Sequence, residues 1–325
     1  DMVHTGQSMI DELRKQHDDL VCEAGVTRSV GTVEIANSNG AHVSYKRSSY
    51  ALALHGTLVR GTDMLFIGDW ATSISPDVDP AKTTARVVEQ LERAKETAQA
   101  PTGQVPVIFG SRGVASALVA PLMSALNGRT LVQGASPLED KLGEQLLDVR
   151  FSIVDDPTTP RRSGSSPVDD EGVPTRRVPL IDCGKPAAFL FDLQTAGHAG
   201  ASSTGSAARS LGSLPAPSPS VLFIAPGDIS TQDMIASVKD GIYVEQLLGA
   251  GQGNVLGGEF GGNVLLGYRI VNGEFVGRVK DTMISGNVYD SLKQIVALGN
   301  EPEWVGGSLS TPPICCDGVT VSAKQ

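Results

Sequence analysis

Apolar residues along the chain change their spacing from segment to segment, and the changes mark its elements. Met9, Ile10 and Leu13 fall on one helical stripe, after which Val33, Ile35, Val43 and Tyr45 recur at every second position. A period near 3.6 followed by a period of two predicts a helix and then strands. Asn37-Ser38-Asn39-Gly40 separates two such runs, and Tyr50, Leu52 and Leu54 alternate again, so an antiparallel meander is expected. Asp79-Pro80 supplies an N-cap and a first-turn proline for a helix with Val87, Leu91, Ala94 and Ala98 on one face. Near the middle, Gly113 to Gly128 is almost uncharged and apolar on every side, which predicts a buried helix. Pro121 interrupts it, and the run is too short for a bilayer that needs roughly 20 apolar residues.

The downstream pattern is finer-grained. Ser136-Pro137-Leu138-Glu139 has the form of a capping box, with Leu138, Leu142 and Leu146 as the buried stripe of a short helix. Val149, Phe151 and Ile153 predict a strand, residues 155–177 with four prolines a surface loop, and Asp182 to Lys185 a hairpin turn. Residues 197–220 are small and polar enough to read as a linker or long loop. Strands are expected at Val221 to Ile224 and Ile242 to Leu248, around a helix that Ser230 caps. Asn272-Gly273 joins two strand runs as a type I′ turn, and Val288, Leu292, Ile295 and Val296 stripe a last helix ending at Gly299. The fold class is therefore α+β, with mostly antiparallel or mixed sheets, a central buried helix and several short amphipathic helices. Ala100 to Gly103 is the expected boundary between a middle domain, residues 1–102, and a β-rich C-terminal domain, residues 103–325.

Composition narrows the function. A net charge of −10 and no basic cluster with interleaved aromatics oppose nucleic-acid binding. Cysteines at 22, 183, 315 and 316 form no C-x-x-C pair and fit a reducing cytosol. The five histidines have no zinc-binding spacing, and His42 and His55 read as strand residues. Gly249-Ala250-Gly251-Gln252-Gly253 leads into β rather than opening a helix, so turns are expected there instead of a phosphate loop. Cys315-Cys316 reads as a small buried hydrophobe beside a turn. Asp169-Asp170-Glu171 with Arg176-Arg177 reads as a solvated charge network rather than an acid/base pair. The serines at 202 to 210 near His198 lie in no nucleophile elbow.

Six segments, SPLEDKLGEQL, DDEGVPTRRVPLI, STGSAARSLGS, PGDIS with DMIASVKDG, GAGQGNVLGGEFGGNVLLGYRI and GRVKDTMISGNVYDSLK, together resemble the TldD/PmbA family, in order over almost the whole chain. The likeness corresponds to the family's middle and C-terminal parts, so its N-terminal domain is expected to be missing. The family implies a cytosolic, metal-dependent peptidase system of two related subunits that enclose a chamber for unfolded peptide, and it carries an older description as modulators of DNA gyrase. Only the TldD-type subunit has H-E-x-x-x-H, completed by a C-terminal cysteine. Set against that pattern, its histidines would fall at Val119 and Ser124 and its glutamate at Ala120, with Cys315 or Cys316 near the cysteine ligand.

The resemblance thus implies a PmbA/TldE-type subunit with degenerate metal positions, no bound metal or cofactor of its own, and no activity alone. Zinc or another metal is expected only in a TldD-type partner. The expected partners are that subunit or a second copy of this chain, and unfolded peptide, with no nucleic acid and no membrane. Peptide is expected along Gly251, Gly253, Asn254, Gly257 and Gly258 by addition to a strand edge. The alternatives are a self-sufficient hydrolase using Cys315 or Cys316 with His198, and a homodimeric binding protein.

Overall fold

In the computed structural model, which describes residues 1–324, the meander is formed as the alternation dictates. Helix α1 (Met2–Arg14) leads into strands β1 (Val21–Ala36), β2 (His42–Arg60) and β3 (Asp63–Ser73), a three-stranded antiparallel sheet. Helix α2 (Pro80–Arg93) begins at Asp79, whose carboxylate accepts from Ala81 N at 2.9 Å. Val87 and Leu91 pack with Met9, Leu13, Leu54, Leu58 and Ile67, so both helices cover one face of the sheet. Ala98 is not on that helical face. The helix ends at Arg93, and Thr97–Ala98 (β4) adds a two-residue parallel strand beside Arg278 and Val279.

Strand β5 (Gly103–Phe109) lies inside an eight-stranded mixed sheet, between Asp240–Leu248, parallel to it, and the C-terminal strand Ile314–Ala323, antiparallel to it. A second, six-stranded sheet contains Ile153–Asp155, Val178–Asp182 and Leu222–Ile224. Between them the central helix runs over residues 111–125 as Ser111–Val114, a π turn at Ala115–Val119, and Ala120–Ala125. The wide turn lies just ahead of Pro121, whose ring and missing N–H do not fit an uninterrupted α-ladder. Val114, Ala117, Leu118, Leu122, Ala125 and Leu126 are buried, while Ala120 reaches the surface. Gly113 is required where it stands, because a Cβ there would lie 2.5 Å from Val244 O.

Several elements differ from expectation. Residues 136–146 form turns rather than a helix. Ser136 Oγ donates to Ala125 O at 2.7 Å and accepts from Leu138 N, and Gly143 N and Leu147 N donate to Pro186 O and Gly184 O. These tertiary bonds take the donors a helix would use, and Leu142 is exposed. The strand near Val149 is confined to Ile153–Asp155. The final helix is only Val288–Lys293, since β-branched Ile295 and Val296 turn into a strand, Ile295–Leu298, beside Cys315 and Cys316. Leu193–Ala199, which overlaps only the first three residues of the linker expected at 197–220, is a helix whose start is fixed by a capping box of Asp192 and Thr195. The loop over 155–177 is partly interior: Asp169 is buried and its carboxylate accepts from the N–H groups of Glu171, Val173 and Ala207. Those bonds, not a charge network with Arg176 and Arg177, explain the acidic run. No helix among the described residues is long and apolar enough to cross a membrane.

Asp155 is fully buried, with Oδ1 accepting from Ser220 N and Val221 N and Oδ2 without a partner. Desolvation lifts its carboxyl to about 6, against a reference near 3.8, although the two N–H groups pull the other way. The native state thus holds this proton more tightly than the unfolded chain does. Its stabilising contribution is complete below about pH 4 and is lost as pH rises through about 6, a loss on the order of 2–3 kcal/mol. Asp155→Asn is expected to flatten that part of the stability–pH curve, as measured by urea unfolding at several pH values. An unchanged curve would count against this assignment.

Candidate functional site

The three degenerate positions lie on the second half of the central helix. Val119 is buried at the end of the π turn, Ala120 is exposed, and the Ser124 hydroxyl donates back to Ala120 O at 3.0 Å. Cys315 and Cys316 sit on the C-terminal strand, opposite Ile108 and Val107 of β5. Successive strand residues face opposite ways, and the two thiols enter different cores. Cys316 joins Leu118, Val119 and Leu122, whereas Cys315 joins Ile108, Tyr243 and Tyr268. Burial pushes the Cys315 thiol up to about 12 and raises Cys316 as well. No group of three or more His, Cys, Asp or Glu among the described residues is placed to hold a metal ion. The chemistry of this set, one apolar branch, one methyl, one internally bonded hydroxyl and a protonated thiol, does not fit a metal centre.

Nor does the thiol fit a nucleophile. Reactive cysteines are exposed and have depressed pKa values. His198 is exposed on its helix, while Cys315 is only 1% exposed. Treatment of native protein with a thiol reagent is expected to label exposed Cys183 readily, and Cys315 and Cys316 only after denaturation. Peptide mapping of the labelled sites checks this.

The glycine-rich residues expected to offer a strand edge do not run as one. Gly251, Gly253, Asn254 and Gly257 are exposed, and Gly258 is buried, in the loop between Asp240–Leu248 and Glu259–Val271. The loop closes on itself: Gly258 N donates to Val255 O, and Asn254 Oδ1 accepts from Gly257 N at 3.1 Å. Beyond it, Asn263 is paired on both sides, with Leu248 and with Met283. Local turn bonds thus occupy the N–H groups of Asn254, Gly257 and Gly258.

One cleft, built from residues far apart in the chain, was not legible in the sequence. A cleft of about 620 Å³ opens between β3, α2, the strand Asp240–Leu248 and residues 301–304. The tryptophans of the chain, Trp70 and Trp304, both line it. Arg112, in the first turn of the central helix and outside the apolar run that marks that helix in sequence, reaches toward it. Its guanidinium donates to Gly68 O at 2.6 Å and pairs with buried Asp69, and it stacks 4.2 Å from the Trp70 ring centre. Arg86 bridges Asp69 and Glu303. Glu245 lies where the pairing of its strand is irregular, a bulge that re-aims side chains. Its contact is Gln90 Nε2 at 3.4 Å, and Gln90 is itself held by Gly68 N at 2.8 Å. Burial raises the Glu245 carboxyl above its ordinary range, against the pull of Arg112 and Arg93. Residues so far apart in sequence meet only through the packing of the meander on the eight-stranded sheet.

The comparisons with known proteins agree with this architecture. Residues 7–95 match the family model of the PmbA/TldA metallopeptidase central domain, and residues 102–323 that of the PmbA/TldA metallopeptidase C-terminal domain. A metalloprotease PmbA homolog of Haemophilus influenzae is 27% identical over 305 residues, 93% of this chain and 64% of that protein. A metalloprotease TldD homolog of the same organism is 32% identical over 205 residues, 63% of this chain and 42% of that protein. The crystal structure of TldE from Thermococcus kodakarensis superposes with a TM-score of 0.86 at 26% identity, covering 99% of this chain and 74% of that one. The chain therefore spans less than two thirds of the length of either Haemophilus relative. With both family domains matched in sequence order over most of its length, the chain belongs to the PmbA/TldA metallopeptidase family.

Proposed function

We propose that the chain acts as a non-catalytic, PmbA/TldE-type subunit of a cytoplasmic metallopeptidase, pairing with a TldD-type subunit that carries the metal and cuts unfolded peptide. One observation carries the reading: where the H-E-x-x-x-H pattern would fall, the central helix presents Val119, Ala120 and Ser124, and the nearby Cys316 is protonated and interior. A peptidase metal needs about three protein ligands with an open position, and imidazole or thiolate at these sites is absent or inaccessible. Likeness over 93% of the chain to a PmbA homolog and over 99% to a TldE structure supports the same assignment.

The test is a peptide-cleavage assay of this protein alone, a TldD-type subunit alone, and the two mixed, with metal content measured in each. Cleavage that appears or rises only on mixing supports the proposal. Cleavage by this chain alone, lost on chelation together with about one transition metal per chain, overturns it.

A further inference from the structure

The cleft between the two tryptophans has an unusual charge economy. Most charges in and around it are mutually satisfied: buried Asp69 with Arg112 and Arg86, and the exposed Glu303 with Arg86 and Glu89 with Arg93. Two are not. Among the described residues neither Glu245 nor Arg162 forms an ion pair within 4.0 Å. Glu245 has one long bond from a neutral amide, and the Arg162 guanidinium lies over Trp304, 3.8 Å from the ring centre, with its Nε buried and without a partner. Both line the same space. Holding a carboxylate and a guanidinium partly out of water with no contact ion pair costs free energy that the more distant Arg112 and Arg93, and Asp77, offset only in part. A bound molecule with the opposite charges recovers it.

We infer that this cleft binds a small zwitterion, with its ammonium group at Glu245 and its carboxylate at Arg162. The space, about 620 Å³, falls within the range of roughly 300–1,000 Å³ typical of small-molecule sites, and a short peptide with both ends free has this chemistry. The other arginines do not compete for the carboxylate, because Arg86, Arg93 and Arg112 are already engaged by Asp69, Glu89 and Glu303. Lys82 and Asp77 stand exposed at the lining, where solvent screens them. Both tryptophans report on occupancy directly, since each lies against the cleft. The inference requires no partner subunit and stands apart from the subunit assignment.

The experiment titrates the isolated chain with the tripeptide Ala-Phe-Ala and with phenylalanine, following tryptophan emission and calorimetric heat. The same tripeptide is then offered N-acetylated and, separately, C-amidated. Saturable binding of either free zwitterion is expected, with each blocked tripeptide weaker by about tenfold or more than the free one, as the loss of one charge-assisted contact implies. Glu245→Gln should abolish discrimination against the acetylated peptide, and Arg162→Met that against the amide, each variant first shown by thermal melting to be folded. No saturable signal with either free probe, or blocked and free peptides binding alike to the unmodified protein, overturns the inference without recourse to any variant.

Discussion

Phe109→Ala is expected to lower the unfolding free energy by about 3–5 kcal/mol, the range for truncating a buried aromatic. Phe109 ends β5, is fully buried, and meets Phe260 edge to face with ring centres 5.8 Å apart. Its backbone pairs with Val244 on one side and Ile314 on the other. The main chain around it is hydrogen-bonded on both edges and cannot close over the hole, so the cavity term adds to the lost transfer energy. Urea unfolding followed by circular dichroism measures the loss. Phe109→Leu, which keeps most of the volume, should cost less than half as much. Equal losses for the two variants would show that packing volume is not what Phe109 supplies.

Arg112→Met is expected to cost about 3–5 kcal/mol, because it strips the principal partner from Asp69, which is only 4% exposed. Arg86, 3.7 Å from the same carboxylate, compensates in part, and Gly68 O loses its donor. Desolvation lowers the pKa of the Arg112 guanidinium, against the pull of Glu245 and Glu303. Adding Asp69→Leu to the variant should restore much of the loss, since an apolar pair of similar volume leaves no stranded charge. A double variant no more stable than the single one would refute the ion-pair account.

How legible each part was in the sequence follows from how local its causes are. The meander, the Asp79 cap and the Asn272-Gly273 turn, with φ of 51° and 83°, follow from period and turn chemistry within a few residues. The stretch from Ser136 to Leu146 carried an equally good local signal and failed, because Ala125 O, Pro186 O and Gly184 O captured its donors. The helix at Leu193–Ala199 was hidden by glycine and histidine in a small-residue run, although Asp192 and Thr195 stood at capping-box spacing. Cys315 and Cys316 were legible as buried hydrophobes. Their opposite orientations follow from strand alternation. Glu245 and Arg162 carried no sequence signal, since nothing local marks a charge whose neighbours lack a countercharge.

That alternation at Cys315 and Cys316 places Cys315 in the core beneath the meander. The matched domains meet between residues 95 and 102, yet the core under the meander is completed by Ile108, Tyr268, Ile270 and Cys315 from beyond that junction. The wall that the C-terminal strand and β5 form is thus shared property of two neighbours. A segment cut at the junction would keep its hydrogen-bonded ribbon and lose the floor beneath it.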